Sequence, residues 1–255
     1  MAKKVVLGFS GGLDTSFCVK YLTEDLGYEV HSIIVNTGGF SAEELQQIEA
    51  HAIKLGVKTH KTVNAVKSYY DSIIRFLIYG NVLKNNTYPL SVSAERLSQA
   101  LHIADHAKEL NADAVAHGST GAGNDQVRFD MIFHIMIPGV EIITPIRDLK
   151  LSREAEIEYL KNKQVEMNFE KAAYSINKGL WGTSVGGRET LSSKGVLPES
   201  AWPTQVTKTD SEEVVLTFEK GELKKLTDKN IRTPAKPSRY CRRLQDLMVL
   251  AATFT

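Results

Sequence analysis

Apolar and polar positions fall into blocks that read as a strand followed by a helix, repeated from the N-terminus. Val5 to Phe9 is a short apolar run closed by Ser10-Gly11-Gly12, the form of a parallel strand buried on both faces. A helix is expected from Thr15 to Leu26, with Phe17, Tyr21 and Leu22 at helical spacing and Gly27 as its stop. Glu29 to Val35 reads as the second strand, followed by the turn Asn36-Thr37-Gly38-Gly39. Ser41 then caps a helix, and Glu44 three residues on completes a capping box. Leu45, Ile48, Ala52 and Leu55 share one face of that helix, and Gly56 ends it. A third strand is expected over Val57 to Val63 and a helix over Ala65 to Ile78, broken by Gly80-Asn81. Tyr88-Pro89 is a turn or extended dipeptide.

Val92 to Leu110 predicts a long helix with Leu97, Leu101, Ala104 and Ala107 as its core stripe. Asp113 to His117 predicts a fourth strand, Gly118 to Gly123 a glycine-rich loop, Glu141 to Ile146 a fifth strand, and Ser152 to Lys163 a helix. Such alternation predicts an α/β fold with a doubly wound parallel sheet, Rossmann-like, over residues 1–168. After Phe169 the pattern changes. Asn177 to Gly195 is rich in Gly, Ser and Thr, and one strand-like run, Val214 to Phe218, is visible. Residues 169–225 are therefore expected to begin a second domain, of α+β type.

Ligands in a sheet of this kind sit beyond the carboxyl ends of the strands, where two loops carry chemistry. In Ser10-Gly11-Gly12-Leu13-Asp14-Thr15-Ser16 two glycines let the backbone turn tightly, and its amides join the first N–H groups of the following helix to face an anion. Ser10, Thr15 and Ser16 add hydroxyl donors, and Asp14 could bind a Mg²⁺ ion accompanying phosphates. No Gly-Lys-Ser/Thr ends the loop, so it is not a Walker A loop. The plain alternative is an ordinary strand–helix turn. His117 to Phe129 packs three glycines, Thr120, Asn124, Asp125 and Arg128 together. Asp125 could take an α-ammonium group and Arg128 a carboxylate. A solvated glycine loop with an incidental ion pair is the alternative there.

Lys plus Arg is 31 and Asp plus Glu 30, which leaves no net-charge argument for nucleic acid or an acidic membrane. No run approaches the length of a membrane span. Cys18 and Cys241 are far apart and suggest neither a disulfide framework nor zinc, so a reducing cytoplasm is expected. Cys18 reads as a small buried hydrophobe. His102 and His106, one helical turn apart, lack a third ligand and read as partly exposed surface residues. His117 reads as orienting the second loop, Trp181 as packing or a pocket wall, and Lys161 to Lys163 as a solvated helix end.

The first loop resembles the Ser-Gly-Gly-x-Asp-Ser/Thr signature of the ATP-pyrophosphatases, the PP-loop enzymes. Together the two loops resemble the argininosuccinate synthase family, and the likeness runs from about Lys3 to Glu222. It includes Asn81-Val82-Leu83, Tyr88 to Ser93, Ile142 to Arg147 and Tyr174 to Gly182. Ala122, where many members have Lys, and the stretch Pro89 to Ser93 depart from the pattern.

The resemblance implies a carbon–nitrogen ligase of arginine biosynthesis that condenses citrulline and aspartate and converts ATP to AMP and pyrophosphate through citrullyl-AMP. It implies ATP contacts at Gly8, Phe9, Ser10, Gly11, Gly12, Leu13, Asp14, Thr15, Ser16, Val35 and Gly118. It also implies aspartate contacts at Thr120, Asn124 and Asp125, and citrulline contacts at Tyr88, Ser93, Asn124, Arg128, Ser175 and Ser184. Asp14 and Asp125 are the functional carboxylates, with Asp125 an amine anchor rather than a base. Mg²⁺ and a homotetramer of the intact chain are further implications.

Residues 226–255 carry no pattern that matches the family, whose members are longer. One back-translation of Met248 to Thr255, read one nucleotide earlier, resembles the family's own sequence, so a frame change between Glu222 and Leu247 is expected, with weak or absent catalysis. Two other readings stay open. One is a different ATP-pyrophosphatase, such as a tRNA sulfur-transfer enzyme, NAD synthetase or GMP synthetase. The other is a non-catalytic nucleotide-binding fragment.

Overall fold

The computed structural model describes residues 2–121, 123–167, 175–205, 215–220, 222–226 and 229–230. The expected tail from 231 onward, with Cys241, lies outside them, as does Val214. The chain divides into two compact units, Met1–Asn64 with Glu95–Ala172, and Ala65–Ala94 with Ala173–Thr255.

The first unit is built on a five-stranded sheet of order β3-β2-β1-β4-β5, from β1 (Lys4–Gly8), β2 (Glu29–Asn36), β3 (Thr59–Asn64), β4 (Ala114–Ala116) and β5 (Glu141–Ile143). Every pairing is parallel, with Val5 opposite Val30 on one side and Ala114 on the other. Side chains alternate between faces along β1. Val5 and Leu7 join α1 (Leu13–Lys20), α2 (Ala42–Leu55) and α8 (Arg153–Asn162) in one core with Phe17, Val19, Leu22, Leu55 and Leu160. On the other face a Cβ placed at Gly8 would lie 2.9 Å from Ile103 of α5 (Ser91–Leu110), so the strand end and that helix are in close contact. Helices on both faces of a parallel sheet are the doubly wound arrangement expected.

Local signals explain most boundaries. The Ser41 hydroxyl accepts from the Glu44 amide at 3.2 Å, and the Glu44 carboxylate accepts from the Ser41 amide at 2.6 Å. Gly56 ends α2 at φ +104°, in the left-handed region. We expect Ser41→Ala to cost about 1 kcal/mol, read as faster hydrogen exchange in the first turn of α2.

Three features differ from expectation. The fifth strand stops at Ile143, because Pro145 opens a helical turn, α7 (Pro145–Asp148). Asp125–Met136 is a helix, α6, that the sequence pattern did not announce. In the second unit, β6 (Ser175–Gly179) and β7 (Gly182–Gly186) form an antiparallel hairpin turned at Leu180-Trp181, mostly within the stretch rich in Gly, Ser and Thr, where no strand was expected.

That unit also holds α3 (Val66–Tyr69), which passes through a wider turn into α4 (Arg75–Tyr79). Its small core joins Tyr69, Ile74 and Ala94 to Leu180 and Trp181. β8 (Leu216–Glu219), β9 (Glu222–Leu226) and β10 (Lys229–Asn230) form an antiparallel sheet. Among the described residues no helix is long and apolar enough to cross a membrane.

Candidate functional site

In the order 3-2-1-4-5 the chain reverses direction across the sheet between β1 and β4, where crevices form at the strand ends. Both glycine-rich loops leave the sheet there. Gly11 has φ +77°, in the left-handed region that favours glycine, and a Cβ on it would crowd Ile48 at 3.1 Å. Gly12 caps α1 in an extended conformation with no side-chain acceptor. The first-turn amides of α1 therefore carry the partial positive charge of an uncapped helix start. The Thr15 hydroxyl binds back to the Gly12 carbonyl at 3.3 Å and lies 3.3 Å from Ser10 Oγ, tying the loop to itself.

The second loop packs onto the first. A Cβ at Gly118 would meet the Cβ and carbonyl carbon of Asp14 at 3.2 and 3.3 Å, and Thr15 at 3.4 Å. Any side chain there would have to push the two backbones apart by a few tenths of an ångström. Behind the loop, buried His117 stacks on Phe129, and its Nε2 contacts Asp130 at 2.9 Å. Its Nδ1 accepts the Ser119 amide at 3.2 Å, so His117 does orient the loop. With Nδ1 an acceptor, Nε2 carries the hydrogen and donates to Asp130.

Arg147 donates to Asp130 at 2.7 Å and to Gln126 at 3.0 Å, and Gln126 donates to the carbonyls of Gly121 and Gly123. Burial alone would raise the Asp130 carboxyl, but the hydrogen bonds from His117 and Arg147 outweigh it and hold the group at about 2.

Asn124 and Asp125 sit at the start of α6. Asp125 accepts from Arg128 at 2.6 Å and from Arg96 of α5 at 3.0 Å. The ammonium and carboxylate receptors expected from the sequence are thus bonded to each other, and Arg96 is a third member that spacing alone did not suggest. Arg96 also bonds Gln99, and buried Glu95 accepts from Gln99 and from the Thr37 hydroxyl at the exit of β2.

Beneath the first loop Glu156 is 2% exposed and lies beside Asp14, and its Oε2 has no partner among the described residues. Burial first, and then the Asp14 charge, push it up to about 8. Cys18 is fully buried as expected, and burial followed by the charges of Asp14 and Glu156 raises its thiol.

Of the other expected residues, Gly8 ends β1, Phe9 and Val35 are buried, and Thr120 lies in the second loop. Tyr88, Ser93, Ser175 and Ser184 belong to the second unit. There the Tyr88 hydroxyl accepts the amides of Val92 and Ser93, Trp181 donates to the Pro89 carbonyl at 2.7 Å, and Ser184 pairs with Asn177 in the hairpin.

Two surface expectations are corrected. His106 is buried, contacting Glu109 and Lys61 through Nδ1. Lys163 is not a free helix end but pairs with Glu24 and Asp25.

Parallel order, an uncapped glycine loop at the switch point and a second loop folded over it define a doubly wound α/β unit with a crevice at its switch point. The chain belongs to the argininosuccinate synthase family: the family's model, described as the arginosuccinate synthase N-terminal HUP domain, matches residues 4–166. The chain is 41% identical over 224 residues to the argininosuccinate synthase of Methanocaldococcus jannaschii, covering 87% of this chain and 56% of that protein. It is 37% identical over 219 residues to the argininosuccinate synthase of Sulfolobus acidocaldarius, covering 86% and 56%. The chain thus spans about half the length of the curated relatives it matches.

Proposed function

We propose that the chain carries the nucleotide and amino-acid machinery of an AMP-forming ligase that joins citrulline to aspartate. The ureido oxygen of citrulline attacks the α phosphorus of ATP, and pyrophosphate leaves as citrullyl-AMP forms. The aspartate amine then displaces AMP to give argininosuccinate. A ureido oxygen is a weak nucleophile, so placement in line and neutralised phosphates supply most of the acceleration.

The observation that carries this reading is the contact of Gly118 with Asp14 and Thr15, which makes the exits of β1 and β4 one surface. On it the triphosphate lies along Gly11 and Gly12 and the first turn of α1. Asp125 anchors the aspartate amine, since each of its oxygens keeps a second lone pair beyond its arginine partner. Arg128 takes the carboxylate of citrulline. Asp14, the carboxylate of the first loop, suits Mg²⁺, which binds through one or two carboxylates plus phosphate oxygens and would supply charge neutralisation. The domain division at residues 168 and 225 and the ATP, aspartate and citrulline contacts implied by the family belong to the same proposal.

The test is citrulline-dependent exchange of labelled pyrophosphate into ATP. Weak exchange that rises with citrulline is expected with the unmodified chain, in line with the weak catalysis expected of a chain that spans about half of its relatives. Arg128→Ala should lower it by about 30-fold or more, through loss of a charge-assisted pair, with ATP binding kept. Exchange that ignores citrulline would sink the reading in favour of another ATP-pyrophosphatase. ATP binding with no exchange would favour a non-catalytic nucleotide-binding chain.

A further inference from the structure

Ser16 lies buried on α1, one turn after Gly12. Its hydroxyl donates to the Gly12 carbonyl at 2.8 Å, and its Oγ lies 3.0 Å from Nε2 of His51 on α2. A hydroxyl has one proton, and a carbonyl can only accept. With that proton committed to Gly12, the contact with His51 requires Nε2 to carry a hydrogen and donate it. Burial, and secondarily Lys54, hold the imidazole below its ordinary value, so the ring is neutral at pH 7. On its other side His51 borders a cleft of about 280 Å³ with Gly11, Phe40, Glu44, Gln47 and Ile48. His51 thus lines the cleft together with the loop glycine and touches the hydroxyl of Ser16.

We infer that His51 is a positioning residue for Ser16: its N–H holds the buried Oγ while the hydroxyl proton turns from the Gly12 carbonyl to a phosphoryl oxygen. The inference rests on reading the first loop as the triphosphate site. Without the imidazole, a buried Oγ giving its proton to phosphate would have no donor behind it, and an unsatisfied buried oxygen is costly. Donation into Oγ also polarises the O–H bond and strengthens what it gives. The Gly12 carbonyl keeps the Ser16 amide at 3.0 Å when the hydroxyl leaves, so the cap survives the exchange.

Two measurements on the full chain test it. Nitrogen NMR of labelled histidine, without ligand at pH 7, should show His51 protonated at Nε2. Calorimetric titration with inorganic pyrophosphate should show His51→Phe, which fills the space without a donor, binding about fivefold more weakly. His51→Gln, which keeps an N–H donor, should stay within about twofold. In a Ser16→Ala background His51→Phe should have no further effect, an outcome that general damage to folding would not give. A hydrogen on Nδ1 instead, or tight pyrophosphate binding by His51→Phe, overturns the inference alone. A chain with the Nε2 hydrogen that binds neither pyrophosphate nor ATP overturns the reading of the loop, and the inference with it.

Discussion

Glu156→Leu should make the first unit more stable by about 2–4 kcal/mol at pH 8, measured as slower hydrogen exchange at the amides of Val5 to Leu7. Glu156 is buried against Asp14, and two adjacent carboxyls out of water cannot both ionise cheaply. Its folded-state value, about 8, stands above the ordinary 4.5. Between those values the folded chain holds a proton that the unfolded chain has released. Stability therefore falls as pH rises through that window. Leucine has no proton to hold and fills similar space beside Cys18 and Leu160. Its advantage should be full at pH 8 and nearly absent at pH 5. An equal gain at both pH values, or a loss at pH 8, would show that Glu156 is held ionised by a partner outside this account.

The second large effect is expected at Gly118. Its missing Cβ would stand 3.2–3.3 Å from Asp14, partly from backbone, which cannot swing aside as a side-chain tip can. Gly118→Val adds three carbons there. Overpacking of this kind costs about 1–3 kcal/mol, and the loops should part to relieve it. Nucleotide binding should then weaken about tenfold or more, because the loss falls on the two backbones proposed to flank the phosphates. Gly121→Ala is the internal control. Its Cβ would meet only the Arg147 side chain, at 3.7 Å, an ordinary contact. Its binding should stay within about twofold. Equal effects at the two glycines would remove the argument that close approach at Gly118 builds the site.

Much of this arrangement was legible in the sequence where local chemistry sets the structure. The apolar run at β1, the Ser41–Glu44 box and the glycine at 56 each act within a few residues, and each behaves as its residue types require. Helix α6 was not legible, for a specific reason. Val127, Phe129, Met131, Phe133 and Ile135 recur every second residue, the period of a strand. Only Phe129 and Phe133 are buried, while Val127, Met131 and Ile135 are 61%, 46% and 66% exposed. The hairpin β6–β7 was hidden by polar residues on both faces and by a turn, Leu180-Trp181, without the usual Asn-Gly signal.

At the site, the loops announced themselves through glycine and hydroxyl spacing. Their partners did not. Arg96 reaches Asp125 from another helix, Glu156 reaches Asp14 from the far end of the unit, and His51 reaches Ser16 from α2. Pairings across such distances depend on the fold, and no local pattern encodes them.

The most direct test is a crystal structure of the chain soaked with ATP and aspartate. Phosphate oxygens are expected within hydrogen-bond distance of the Gly11 and Gly12 amides, with the aspartate amine on Asp125. A triphosphate seated away from the β1 exit, or an amino acid that leaves Asp125 bonded only to its two arginines, would contradict that placement.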